Sequence, residues 1–314
     1  MMRVAVVGAG NWGKNLIRNF YALEALSAIA EASDELRSKA EASYPGVMMY
    51  ADYRELLTTD IPTIVFATPA PTHYKFAMDA LKAGKDVFIE KPMTLDTAEA
   101  KALAEYADAH DRILMVGHLL MYQPAIAWMR DYLASGKAGQ VYHVATQRVN
   151  LGKVRPGENV WWSFAPHDVS IVFDLLGNPE LDRVQASGQA ILQPGIEDQV
   201  HVDLTFKSGQ TAHLHCSWFH PFLKRGTTVI AEKQMLYYDE TDQKVMIYDK
   251  SVNPDLSIRD NGVTVVPVAA LEPLKLECEH FLNCVAMRQR PRSDGWNGVA
   301  VVEVLQKAQE ALRG

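Results

Sequence analysis

Gly8-Ala9-Gly10-Asn11-Trp12-Gly13 follows the apolar run Val4 to Val7 and opens an amphipathic stretch, Lys14 to Ala25. In that stretch Leu16, Ile17, Phe20 and Leu23 recur at helical spacing. Strand, glycine turn and helix in this order are what dinucleotide binding requires. Gly8 permits the tight turn, Gly10 lets backbone approach a pyrophosphate, and Gly13 lets helix and strand pack closely. Asn11 and Trp12 lie inside the same turn, and the diphosphate rests on exposed N–H groups at the helix N-terminus. An acidic residue about 20 positions further on should end the second strand and accept hydrogen bonds from the adenosine ribose. Ser27-Ala28-Ile29-Ala30-Glu31 reads as that strand, and the Glu31 carboxylate would repel a 2′-phosphate, which favours NAD over NADP. Asp34 is an alternative acceptor, and Arg37 leaves NADP open.

Ligands of open parallel sheets bind beyond the carboxyl ends of the strands. Three further features fall there: Ala67-Thr68-Pro69-Ala70-Pro71-Thr72-His73, Glu90-Lys91-Pro92 and Gly117-His118. A fourth, Trp162-Ser163-Phe164-Ala165-Pro166-His167-Asp168, comes from the second half of the chain. An amine and an imidazole in such positions can take or relay a proton. Arg148 and Arg155 can clamp a diphosphate, and Trp161 or Trp162 can stack on a base or sugar. Asn150, His118 and Tyr122 complete the candidate substrate contacts.

The elements that must hold these residues are legible. The first part alternates strands (3–7, 27–31, 63–67, 86–90, 113–116) with helices, as a parallel sheet requires. After Gly117, residues 140–150, 199–206, 211–218 and 244–248 alternate and are rich in Val, Tyr and Thr. Lys207-Ser208-Gly209-Gln210 joins two of them as a hairpin turn. Two helices, about 274–288 and 299–312, close the chain. The expected fold class is α/β: a Rossmann dinucleotide-binding domain (1–117), then an α+β domain (118–314) with a large, mostly antiparallel open sheet. Packing of the C-terminal helices back on the first domain is left open.

With 314 residues the chain can bury a substantial core. A formal charge of −7 argues against bulk nucleic-acid binding, which needs a basic face. No apolar run approaches a membrane span, the first strand leaves no room for a secretory signal, and three scattered cysteines suit a reducing compartment. A cytoplasmic protein is expected. His213 and His215 share one strand face while Cys216 takes the other, so no metal site is expected there. That face also carries Thr211, Ser217 and Phe219.

The glycine turn, A-T-P-x-x-x-H at Ala67–His73 and A-G-K-D-V-F-x-E-K-P at Ala83–Pro92 together resemble the Gfo/Idh/MocA oxidoreductases along essentially the whole chain. The resemblance implies NAD as cofactor. It places Glu90, Lys91 and Pro92 beside the nicotinamide, with a Lys–Pro bond that is often cis and a lysine that contacts the reacting hydroxyl. Thr68, Pro69 and His73 join the coenzyme contacts. Many members carry D-x-x-x-H on a helix ending in Gly; matching Asp174-Leu175-Leu176-Gly177 puts His167 at the His position and Ser163 where the Asp belongs. Asp168 cannot replace it, since adjacent helix residues point about 100° apart. Lys91 and His167 both stand as the base. The segment around Trp162 is similar to the branch that oxidises C3 of nucleotide-linked amino sugars for surface polysaccharide or lipid A. That implies a UDP-N-acetylglucosamine-like substrate and a homo-oligomer, dimer or tetramer, formed through the second sheet. A dehydrogenase of free polyols such as inositol, and a non-catalytic dinucleotide-sensing regulator, are the rival readings.

Overall fold

The computed structural model describes residues 2–313. The first segment runs β1 (Val4–Val7), α1 (Gly13–Ala22), β2 (Leu26–Ala30), α2 (Asp34–Ser43), β3 (Met48–Tyr50), α3 (Tyr53–Leu57), β4 (Thr63–Phe66), α4 (His73–Lys82), β5 (Asp86–Glu90), α5 (Thr97–Ala109) and β6 (Leu114–Gly117). Six parallel strands form one sheet in the order β3-β2-β1-β4-β5-β6. The order reverses beside β1, which opens a crevice above the carboxyl ends of β1 and β4. β1 is apolar throughout because both of its faces are covered. α1 buries Leu16, Ile17 and Phe20 of the expected stripe, while Leu23, half-buried, is the C-cap because the helix ends at Ala22. Asp96 caps α5 by accepting the Ala98 and Glu99 N–H groups, and Gly84, at φ 77°, follows α4.

The chain continues with α6 (Pro124–Ala134), β7 (Val141–Leu151), α7 (Val160–Leu176), β8 (Leu181–Gln189), β9 (Gln199–Phe206), β10 (Thr211–Ser217), β11 (Phe219–Ala231), β12 (Met235–Asp239), β13 (Lys244–Val252), β14 (Ile258–Val266), α8 (Pro273–Met287) and α9 (Gly295–Arg313). Its eight-stranded sheet has the order β14-β13-β12-β11-β7-β10-β9-β8, antiparallel except for the β7–β10 pair. The turn at Lys207–Gln210 joins β9 to β10, with Phe206 N–H bonded to Gln210 O at 3.0 Å and Gly209 at φ 85°.

Two compact units result: Met1–Leu119 with Glu272–Glu303, and Leu120–Leu271 with Val304–Gly314. In the first, α8 is pinned by Phe281, whose ring meets Phe20 and Phe88 edge-on at 6.4 and 5.6 Å. In the second, α7 packs on one face of the sheet, where Phe173 meets Phe206 at 5.6 Å and Trp161 donates Nε1–H to Leu305 O at 3.1 Å. The Asn159 side chain caps α7 through the Trp162 N–H, and Gly177 ends it at φ 77°. Cys216, Cys278 and Cys284 are free thiols, all buried. Among the described residues no helix is long and apolar enough to cross a membrane.

Candidate active site

The glycine turn is built by exclusion. A Cβ on Gly13 would stand 1.9 Å from Gly8 O, and one on Gly8, at φ 95°, would stand 2.8 Å from Ala67 O. A Cβ on Gly10 would meet no protein atom within 4 Å, so that side of the turn is open to a ligand. A groove of about 700 Å³ starts there, lined by Gly8, Gly10, Glu31, Leu36, Tyr53, Arg54, Thr68, Pro69, Thr72 and Phe76. Glu31 is fixed at its edge: Oε2 accepts the Ala9 N–H at 2.7 Å and Oε1 the Ser33 N–H at 2.9 Å. Its remaining lone pairs can take ribose hydroxyls. Arg37 donates Nη1 to Glu31 O at 2.7 Å and pairs with the exposed Asp34, which engages its guanidinium on two sides. Leu36, Arg54 and Phe76 escaped the sequence reading because no motif marks helix ends that merely wall a groove. Asn11 and Trp12 are exposed on the turn.

β5 delivers Glu90, and the Lys91–Pro92 peptide is cis. Glu90 is buried; its Oε1 accepts Trp12 Nε1–H at 2.6 Å and its Oε2 the Lys91 N–H at 3.2 Å. It thus ties the glycine turn to the lysine corner. Its partner in register on β6 is Gly117, where a Cβ would lie 2.9–3.0 Å from the carboxylate. Burial pushes the Glu90 pKa up to about 7, against the pull of Trp12 and Lys91. Lys91 is half-buried. Two expectations are corrected here. His73 is only 1% exposed, its Nδ1 and Nε2 each 2.8 Å from the Pro92 and Thr68 carbonyls; it braces two strand ends and has no surface for coenzyme. His118 has no exposed surface, so it makes no direct sugar contact, and Tyr122 is buried as well.

Glu277 was not anticipated. It is fully buried on α8, neither carboxyl oxygen has a hydrogen-bond partner among the described residues, and the nearby Glu90 charge adds to burial in raising its pKa well above 4.5. The signal lay in the apolar stripe Leu274, Cys278, Phe281 and Val285, which Glu277 interrupts on its buried side. A carboxyl in this setting holds its proton. Because its folded-state pKa is raised, the stability it contributes is full below pH 4.5 and is lost as pH climbs from there toward the folded value. Glu277→Gln removes that slope. Urea unfolding of the coenzyme-free protein should show the Gln form gaining stability relative to wild type as pH rises from 4 to 8. A constant difference across that range would mean that folding does not shift the Glu277 pKa.

In the second unit, the proposed diphosphate clamp at Arg148 is corrected. Its Nε and Nη2 hold both Asp168 oxygens at 2.9 and 3.0 Å, and its Nη2 holds Glu240 Oε2 at 2.9 Å. All three side chains are largely buried, so Arg148 and Asp168 neutralise each other and are closed to substrate. Trp161 lies in the core, which leaves Trp162, half-buried, as the stacking candidate. Arg155 is exposed, with one long contact to Glu158 at 3.5 Å. On α7, Ser163 is buried and His167 half-buried, while Asn150 on β7 is half-buried. On the sheet face away from α7, His213 bonds Asp203 at 2.8 Å and the His215 ring stacks on His201 at 4.1 Å; Cys216 faces the other way, buried. Among the described residues no cluster of His, Cys, Asp and Glu could hold a metal ion.

Residues 2–118 match an oxidoreductase family with an NAD-binding Rossmann fold, and residues 126–237 match the GFO/IDH/MocA C-terminal domain. The chain belongs to the GFO/IDH/MocA family of oxidoreductases. It is an NAD-dependent dehydrogenase acting on a CH–OH group, and the open glycine turn, the groove and the fixed Glu31 acceptor fit that coenzyme. It is 27% identical to UDP-N-acetylglucosamine 3-dehydrogenase of Acidithiobacillus ferrooxidans over 96% of this chain and 94% of that one. A solved structure of UDP-N-acetylglucosamine 3-dehydrogenase GnnA from that species superimposes with a TM-score of 0.88 at 26% identity, covering 99% and 97% of the two chains. Scyllo-inositol 2-dehydrogenase (NAD(+)) of Bacillus subtilis is 25% identical over 92% of this chain and 88% of its own.

Proposed function

We propose that this dehydrogenase oxidises the C3 hydroxyl of a nucleotide-linked amino sugar, UDP-N-acetylglucosamine first, to the 3-keto sugar. The observation that carries this reading is the likeness to UDP-N-acetylglucosamine 3-dehydrogenase along nearly the full length of both chains. NAD, when bound, supplies the hydride acceptor. Lys91 takes the hydroxyl proton and holds the developing oxyanion. His167 is the second candidate base. Arg155, Asn150 and Trp162 are the proposed substrate contacts of the second unit; the buried Arg148, Asp168, Ser163 and Tyr122, and His118 of the first unit, are left out. Association of copies through the sheet face bearing His213 and His215 belongs to the same proposal.

Oxidation of a free polyol is the second reading, supported by the likeness to scyllo-inositol 2-dehydrogenase. A spectrophotometric scan for NADH formation separates the two. UDP-N-acetylglucosamine should be turned over, and free N-acetylglucosamine and inositols should not. Turnover of inositols with no response to any nucleotide sugar would reverse the order.

A further inference from the structure

His118 leaves β6 one residue beyond Gly117, and Lys91 leaves β5 one residue beyond Glu90, the register partner of Gly117. Adjacent strands lie about 4.8 Å apart, so lysine and imidazole emerge side by side. The His118 ring is fixed: Nδ1 lies 2.7 Å from Asn297 Oδ1. An amide oxygen only accepts, so the neutral ring carries its proton on Nδ1 and keeps a bare lone pair on Nε2. That Nε2 is buried and has no hydrogen-bond partner among the described residues. An unpaired acceptor in a dry interior is costly, and its partner must be a group that reaches it without crossing solvent. No sugar in an open cleft does so, because His118 has no accessible surface. Lys91, half-buried on the neighbouring strand end, carries an amine whose charge acts on the His118 ring.

We propose that His118 is the positioning residue of Lys91: its Nε2 accepts one N–H of the Lys91 amine and thereby aims that amine at the substrate hydroxyl. This rests on reading Lys91 as the proton carrier. Burial, together with the Lys91 charge, pushes the His118 pKa down to about 4, so the ring stays an uncharged acceptor at neutral pH. The other ionisable groups of this corner are Glu90 on β5, whose carboxylate also interacts with Lys91, and Glu277 on α8.

The test reads Lys91 directly. Competitive labelling of the full-length, coenzyme-free protein with acetic anhydride across pH, followed by mass spectrometry of the Lys91 peptide, gives the titration midpoint of that amine. An acceptor on Nε2 favours the charged form, so His118→Phe should lower the midpoint by about 0.5–1 pH unit, and His118→Gln, which keeps an acceptor, should restore it. In turnover, His118→Phe should lower kcat at least about tenfold with KM nearly unchanged, and move the acid limb of kcat/KM to lower pH. Asn297→Leu, which frees Nδ1 and lets the proton shift to Nε2, should move the midpoint the same way and serves if the Phe variant fails to fold. An unmoved midpoint in Phe and Leu variants, or a Gln variant no closer to wild type than Phe, would overturn the proposal. A midpoint that moves while no sugar nucleotide is oxidised keeps the His118–Lys91 pairing and removes only the substrate reading.

Discussion

Gly13→Ala is expected to abolish coenzyme binding and to destabilise the fold with it. The new methyl would lie 1.9 Å from the Gly8 carbonyl oxygen, a backbone atom of the turn itself, and 3.3 Å from Ala67 Cβ. No side chain can swing aside to relieve this. Either α1 moves away from β1 or the turn opens, and both displace the N–H groups that hold the diphosphate. Affinity for NADH, read by fluorescence titration, should fall at least about 100-fold, and overpacking should cost on the order of 1–3 kcal/mol or more in unfolding. Gly10→Ala is the matched control. Its methyl meets no protein atom within 4 Å, so the fold should survive while NADH binding weakens, because the methyl occupies the space a pyrophosphate needs. Intact binding in both variants would place the coenzyme elsewhere.

Lys91→Met keeps the length and apolar stem of the side chain and removes only the amine. Turnover should fall by about 10² to 10⁴-fold, the range of a lost general base. NADH affinity should stay within about twofold, because the contacts of the groove belong to other residues. Pre-steady-state mixing with sugar nucleotide would separate the two effects: binding amplitude retained, hydride-transfer rate lost. A variant with wild-type turnover would assign proton removal to His167. The cycle differs sharply from that of Gly13→Ala, in which binding fails before chemistry begins.

The coenzyme half of the molecule was legible in the sequence for physical reasons. Strands covered on both faces must be apolar, and a turn closed on a phosphate must be glycine, so β1 and Gly8, Gly10 and Gly13 carry their roles in their composition. β3, three residues long with an exposed first residue, has too little buried surface to leave a pattern. In the second sheet, β9 and β10 alternate cleanly because one face is packed against α7. β8 and β14 lie at the sheet edges and are mostly exposed, and β11 contains Pro221 and Gly226, so neither alternation nor composition announces them. At the site, residue type alone could not tell Arg148 from Arg155. Whether a guanidinium meets phosphate or carboxylate depends on partners far away in sequence, here Asp168 and Glu240. Likewise a histidine after a strand reads as a ligand contact until its burial is known, as His73 and His118 demonstrate.

The Arg148 cluster also bears on how substrate preference can drift. Asp168 follows His167 on α7, Arg148 sits on β7, and Glu240, just past β12, also holds Arg225 of β11 at 3.2 Å. Two cations and two anions therefore rivet one helix to three strands. Losing Arg148 or Asp168 breaks the buried pair and strands a charge, at a cost of about 3–5 kcal/mol, so stepwise mutation there meets a barrier that simultaneous replacement by apolar residues does not. Descendants with altered specificity should inherit this rivet whole or lose it whole, and their accepted changes should accumulate in segments that it does not clamp.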